Sequence, residues 1–123
     1  MKFAEIADTG ANLIESYGAG RVRINGRDYA RRVAVSARHI TLDWGPDDMA
    51  ALTSEHLEAV LGASTQVLII GTGARQHFPP PEVQFALLAR GIGVEVMDTG
   101  AACRTYNILV SEGRDVVAAL LME

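Results

Sequence analysis

The sequence has one cysteine, Cys103, so no internal disulfide can form. A lone thiol fits a reducing compartment. Its three histidines are far apart, and it contains neither His-x-x-x-His nor Cys-x-x-Cys. The ligand spacing of a metal site is therefore missing, and we expect no metal and no cofactor. Positive charge is not in excess: 11 Lys and Arg face 15 Asp and Glu, a formal net charge of −4. A nucleic-acid footprint needs a basic face, so no nucleic-acid partner is expected. The densest positive stretch (Arg21, Arg23, Arg27, Arg31 and Arg32) reads as the solvated face of strands. No apolar run approaches the ~18 residues that suggest a membrane span. The first eight residues carry two acids, Glu5 and Asp8. They resemble neither a secretory signal nor an acid-poor transit peptide, and we expect a soluble cytoplasmic protein.

What is present is an ordinary globular composition, 49% apolar over 123 residues. A chain of this size buries roughly two-thirds of the surface it exposes when unfolded, enough for a core without staples. One domain, 1–123, is expected, with no repeat, linker or low-complexity tract. Residues 1–10 read as poorly ordered or as an edge segment.

The organising stretch is 67–110, which reads strand, glycine loop, helix, strand, helix. Upstream of it lies β structure. Residues 13–17 are a short strand candidate. Residues 21–24 alternate polar and apolar, the period of a half-buried strand. Asn25-Gly26 is a strong hairpin signal, because both central positions of a type I′ turn need positive φ. Residues 27–31 return, with Tyr29 on the face of Val22 and Ile24. Residues 32–36 and 40–44 are further strand candidates, and Trp44 is placed to seal the core near a sheet end. Residues 45–48 are a loop by composition. Thr53 caps a helix with His56 at N3, a cap without the full capping box. Leu57, Val60 and Leu61 form its apolar stripe, and Gly62 ends it.

Residues 67–70 are apolar on both faces, the mark of a central parallel strand covered on both sides. Gly71-Thr72-Gly73 breaks that strand. The prolines at 79–81 delay the next helix, whose buried stripe is Val83, Leu87 and Leu88, with Gly91 at its C-terminal stop. Residues 94–97 are the next strand, reached by a crossover. Asp98 or Thr99 caps the following helix, whose apolar face is Ala102, Cys103, Tyr106, Leu109 and Val110. Gly113 stops it, and residues 116–122 form a last apolar strand. The whole is a small α/β domain.

Chemistry concentrates at two polar segments. Gly71-Thr72-Gly73-Ala74-Arg75-Gln76 follows a strand but fails the dinucleotide fingerprint, since Gln76 replaces glycine and no helix opens on the loop. The phosphate-binding Gly-Lys-Ser/Thr is also absent. Two readings stand: a backbone anion nest beside Arg75, or a tight turn that lets the backbone approach a neighbour. The second segment opens a helix at Asp98 and Thr99 and carries Arg104, Tyr106 and Asn107. In a parallel unit the two loops meet at the carboxyl edge, where ligands bind. The candidate binding residues are therefore Gly71, Thr72, Gly73, Arg75, Asp98, Thr99, Arg104, Tyr106 and Asn107. No catalytic residue is assigned. Cys103 sits between apolar neighbours and reads as a core residue rather than a nucleophile. Asn107 is out of place in mid-helix and must satisfy a buried group or a ligand.

The blocks Gly71-Thr72-Gly73, Asp98-Thr99 and Ala102-Cys103-Arg104-Thr105-Tyr106-Asn107, with Glu112-Gly113-Arg114 downstream, resemble one family. It is the uncharacterised-domain family shared by mitochondrial complex I assembly factor 3 and the adipogenesis-associated domain protein. Tyr17-Gly18, Asn25-Gly26, Tyr29 and Trp44 extend the likeness, which covers about 12–121. It implies a three-layer α/β domain with a central mixed, mostly parallel sheet, an N-terminal antiparallel β portion and one strand opposed to the rest. We place that opposed strand last, at 116–122. The missing presequence points to a bacterial member.

The resemblance and the residues together favour a non-enzymatic accessory or assembly-type protein. It would bind a protein partner, such as a membrane-complex subunit, through the carboxyl-edge loops, with Arg75, Phe78, Arg104 and Tyr106 as anchors. A second reading is a small-molecule anion binder or enzyme using the same cleft. A third makes the glycines architectural and the N-terminal hairpin, 21–32, the working surface. A homodimer through an edge strand is also open.

Overall fold

The computed structural model describes residues 10–18 and 20–122. The expectation for residues 1–10 falls, Gly10 aside, outside them. The N-terminal portion is a three-stranded antiparallel sheet of β1 (Ile14–Gly18), β2 (Arg21–Ile24) and β3 (Arg27–Tyr29). Asn25 and Gly26 have φ of 52° and 77°, the pair of positive values that the tight hairpin needs. Tyr29 pairs with Val22 and packs on the same core, as its alternation predicts.

The central sheet holds β4 (Val33–Ser36), β5 (Ile40–Leu42), β6 (Val67–Thr72), β7 (Gly93–Met97) and β8 (Val116–Leu121) in the order β5-β4-β8-β6-β7. The helices are α1 (Ser54–Glu58), α2 (Pro81–Leu88) and α3 (Thr99–Ser111), with a 3-10 turn at Met49–Ala51. Every residue of β6 and β8 is buried. Each fully buried Ile, Leu or Val contributes about 1.5–3 kcal/mol, so these two adjacent strands are the main apolar reserve of the fold.

Alternation along the strands divides the core in two. Val33, Val35, Val67, Ile69, Ala118 and Leu120 face α3 and the small sheet. Ala34, Leu68, Ile70, Val117 and Ala119 face the other way, onto Trp44, Leu57 of α1 and Val83 and Leu87 of α2. The architecture is therefore three-layered and mixed, as the resemblance implied. Trp44 is buried and its Nε1 donates to the Leu120 carbonyl at 2.9 Å, tying the 43–48 loop to the last strand.

Four expectations need correction. The opposed strand is β4, not the last one: β8 runs parallel to β6 and antiparallel to β4. The reason is that α3 spans the sheet and returns the chain to the end where β6 and β7 begin. Gly71 and Thr72 do not break β6; they extend it, pairing with Leu120 and Leu121. The first helix is shorter than read, ending at Glu58, although Val60 and Leu61 still pack on the same core. It also has a complete capping box, because His56 Nδ1 accepts the Thr53 N–H at 3.0 Å. An imidazole nitrogen does there what a Glu or Gln oxygen usually does.

Candidate functional site

Crossovers bring the carboxyl ends of β6, β7 and β8 to one edge, and the two polar segments meet there. Their meeting is a mutual lock rather than an open cradle. Thr99 is fully buried at the first turn of α3. Its N–H donates to the Gly73 carbonyl at 2.9 Å, and its hydroxyl accepts the Gly73 N–H at 2.8 Å. The same hydroxyl donates to the Leu121 carbonyl at 2.7 Å. One side chain thus joins the loop after β6 to the end of β8.

Thr72, also buried, closes its own loop. Its hydroxyl donates to the Arg75 carbonyl, faces the Met97 carbonyl at 3.3 Å and accepts the His77 N–H at 3.1 Å. Gly71 permits this closeness. A Cβ there would lie 2.8 Å from Leu120 Cδ2 and 3.1 Å from both Ala102 Cβ and Thr99 Oγ1. Gly73 turns the chain at φ 93°. Of the readings left open for this loop, the geometry matches close backbone approach.

Asp98 is the cap of α3, its carboxylate accepting the Ala101 N–H at 2.9 Å. Thr99 N–H on the Gly73 carbonyl makes a second engaged donor of the first turn, and Ala102 N–H makes the ordinary helical bond to the Asp98 carbonyl. The Tyr17 ring covers that turn: a Cβ on Gly100 would lie 3.2 Å from Tyr17 Cε2. A helix start attracts anions through free N–H groups, and here the Thr99 and Ala101 N–H groups are engaged.

Tyr106 and Asn107 face away from the carboxyl-edge loops, toward the small sheet. The Tyr106 hydroxyl donates to the Asn12 carbonyl at 2.7 Å. The Asn107 amide bonds both backbone groups of Ile14, accepting its N–H at 2.9 Å and donating to its carbonyl at 2.7 Å. That pairing accounts for a polar residue at a poor helix position: it anchors β1 to α3. Cys103 is fully buried, and burial pushes its thiol up to about 12, with Arg104 opposing and Asp98 adding in the same direction. Such a thiol is a core residue, not a nucleophile.

The side chains these bonds leave at the surface are of another kind. Arg75, Gln76, His77 and Phe78 all lie outside, and Phe78 is 70% exposed. Gln76 Nε2 donates to the Val96 carbonyl at 2.9 Å, holding this segment beside β7. Arg104 is exposed on α3. Helix α2 follows Phe78 after Pro79 and Pro80. It buries Val83 and Leu87, yet Phe85 is 68% exposed and Leu88, expected in the buried stripe, is 52% exposed. Apolar residues on both sides of a helix normally mean cover on both sides. The run Phe85-Ala86-Leu87-Leu88-Ala89, with no polar residue, is the sequence signal that marks this second face.

Among the described residues, no group of three or more His, Cys, Asp or Glu is arranged to hold a metal. No helix among them is long and apolar enough to cross a membrane. A separate cleft of ≈ 510 Å³ lies at the opposite, amino edge of the sheet. It is built from the β4–β5 turn, the loop after α1 and the start of β8, three segments that no local pattern connects.

Comparison with known proteins agrees with this architecture. A family described as protein of unknown function (DUF498/DUF598) matches residues 14–121. The 13 kDa major membrane protein of Francisella tularensis subsp. holarctica (strain LVS) is 31% identical over 111 residues, spanning 89% of this chain and 89% of that protein. The NADH dehydrogenase (ubiquinone) 1 alpha subcomplex assembly factor 3 of Danio rerio is 39% identical over 111 residues, 89% of this chain and 63% of the relative. The chain thus spans under two-thirds of that relative's length. The crystal structure of a protein from Bordetella parapertussis superposes with a TM-score of 0.82 at 42% identity, covering 94% of this chain and 98% of that one.

Proposed function

The chain belongs to the DUF498/DUF598 family, and from that premise we propose that it is an assembly-type accessory protein that holds a protein partner. The holding surface is formed by Arg75 and Phe78 in the loop after β6 and by the outer face of α2 at Phe85 and Leu88; Arg104, on α3 across the sheet from α2, lies outside it. One observation carries the reading. The carboxyl edge spends the Gly73 and Thr99 N–H groups and the buried Thr72 and Thr99 hydroxyls on bonds within itself, while large apolar side chains beside it stand in solvent. A surface of aromatic and arginine side chains without a cradle suits a protein face better than a small ligand, because interface energy concentrates in such anchors. Relatives named as complex I assembly factor 3 favour the same class of role, and a subunit of a membrane-bound respiratory complex is the partner this proposal names.

The alternative of an anion held by the Gly71–Gly73 loop and the Thr99 helix start finds the Gly73, Thr99 and Ala101 N–H groups already bonded, which disfavours it. The test is a crosslinked pull-down of the wild type beside Arg75→Glu and Phe85→Ser, with folding checked by thermal melting. We expect a membrane-complex subunit with the wild type and weakened recovery with both variants at unchanged melting temperature. Equal recovery by folded variants would end the proposal.

A further inference from the structure

The two edges of the central sheet are finished differently. Strand β7 is guarded: Gln76 caps the Val96 carbonyl, and the exposed Glu95 sits mid-strand. Charges and caps of this kind keep an edge from pairing with another chain. Strand β5, Ile40-Thr41-Leu42, carries no charge, and Leu42 is 46% exposed.

The phase of the β4–β5 ladder tells which groups face out. Ser36 N–H donates to the His39 carbonyl at 2.9 Å, and Asp43 N–H donates to the Arg32 carbonyl at 2.8 Å. Hydrogen-bonded pairs alternate in an antiparallel ladder, so Ala34 and Thr41 form the bonded pair between them. Thr41 therefore turns its backbone inward, and Ile40 and Leu42 turn theirs out of the sheet. Among the described residues, neither Ile40 nor Leu42 has a backbone partner beyond this ladder.

Beside this edge runs the ≈ 510 Å³ cleft. Thr41 pairs with Ala34, which faces the α1 and α2 layer, so its side chain lies on the cleft side of the strand. Ser36, Thr41 and Ser64 bring hydroxyls to the lining, and Val60, Leu61 and Val117 bring apolar surface. A volume of this size lies in the range of ligand sites. Ile40 and Leu42 point to the opposite face.

We propose that β5 is a docking edge for an extended segment of a protein partner, which joins the central sheet as a sixth strand. Its backbone pairs with the outward N–H and C=O groups of Ile40 and Leu42, the strand-addition mode of peptide recognition. Alternate side chains divide between the faces. An apolar one lies against Leu42, and a long one with a polar end enters the cleft, its stem on Val60 and Leu61 and its tip at the hydroxyls. A second copy of this chain is the poorer occupant. Two β5 strands paired about Thr41 would offer the cleft only the short Thr41 side chain. This edge lies across the sheet from the Phe78 and α2 surface and does not depend on it.

The test is selection of a displayed random-peptide library on the wild-type protein, followed by affinity measurement on wild type, Leu42→Pro and Thr41→Arg. Leu42→Pro removes an outward N–H that the ladder does not use, and proline is tolerated at such edge positions. Thr41→Arg fills the cleft from an exposed site and serves if the proline variant fails to fold. We expect alternating peptides that lose about tenfold or more in affinity for both variants. We also expect bound peptide to slow amide hydrogen exchange at Ile40 and Leu42. Absence of any peptide enriched over the Leu42→Pro control would overturn the proposal. So would bound peptides that leave those two amides unchanged, or a wild-type dimer that Leu42→Pro dissolves and that takes no peptide.

Discussion

Replacing Thr99 by valine keeps the shape of the side chain and removes its hydroxyl. Two buried groups then lose their partner, the Gly73 N–H and the Leu121 carbonyl. Each unpartnered buried group costs about 1–3 kcal/mol, and with some relaxation of the 71–78 loop the sum is about 2–4 kcal/mol. Domains of this size are stable by only about 5–15 kcal/mol in total, so the loss is large. At about 4 °C per kcal/mol it corresponds to a melting temperature lower by roughly 8–16 °C. Urea unfolding at constant slope measures it, with Thr99→Ser as the control that keeps the hydroxyl and loses only a methyl group. The comparison separates two roles for the same residue. A hydroxyl kept for a ligand would leave stability untouched when removed. Thr99→Val within about 0.5 kcal/mol of wild type, the usual scatter for a surface change, would refute the lock described above.

Two further outcomes follow from the buried groups. Asn107→Ala should cost about 2 kcal/mol or more, since it strips both backbone groups of Ile14 of their partner. Its signature is faster amide exchange in β1 and β2 while β6 and β8 stay protected, and unchanged exchange in the small sheet would count against it. Cys103 should resist alkylation in the native protein and react at the rate of unfolding, read by mass spectrometry across a denaturant series. Its thiol, raised from 9.0 to about 12 by burial, also sets a sign. Its stabilising contribution is whole below 9.0 and is lost as pH rises toward about 12, because only the unfolded thiol ionises in that window. Burial pushes the Tyr106 hydroxyl up as well and adds to the same loss at high pH.

Local chemistry was legible in the sequence where a residue acts on its neighbours. Asn25-Gly26 announced its turn, Asp98-Thr99 a cap that the structure gives to Asp98, and Gly91 and Gly113 their stops, both at φ 80°. The unbroken apolar run of β6 announced a strand covered on both faces. Contacts between distant segments were not legible. Thr99 reaches Leu121, and Asn107 reaches Ile14, through folded geometry that no spacing encodes. The direction of β8 depends on how α3 returns the chain, and apolarity alone does not carry direction. Leu88 looked like core because helical period gives one stripe, whereas α2 has apolar residues on two sides. The capping box at Thr53 was missed because an imidazole nitrogen stands where the pattern names a carboxylate or amide. At the candidate site, the meeting of the two loops was foreseen from topology. That they would satisfy each other, and leave Phe78 and α2 as the outward surface, required the structure.

The most direct measurement places a photo-crosslinking residue, in separate proteins, at Phe78, at Phe85 and, on the N-terminal hairpin, at Arg27. Each is irradiated in cells that express the protein, and adducts are identified by mass spectrometry. The proposed function predicts that positions 78 and 85 capture the same protein partner and that position 27 captures none. Adducts from position 27 alone, or different proteins from 78 and 85, would contradict it.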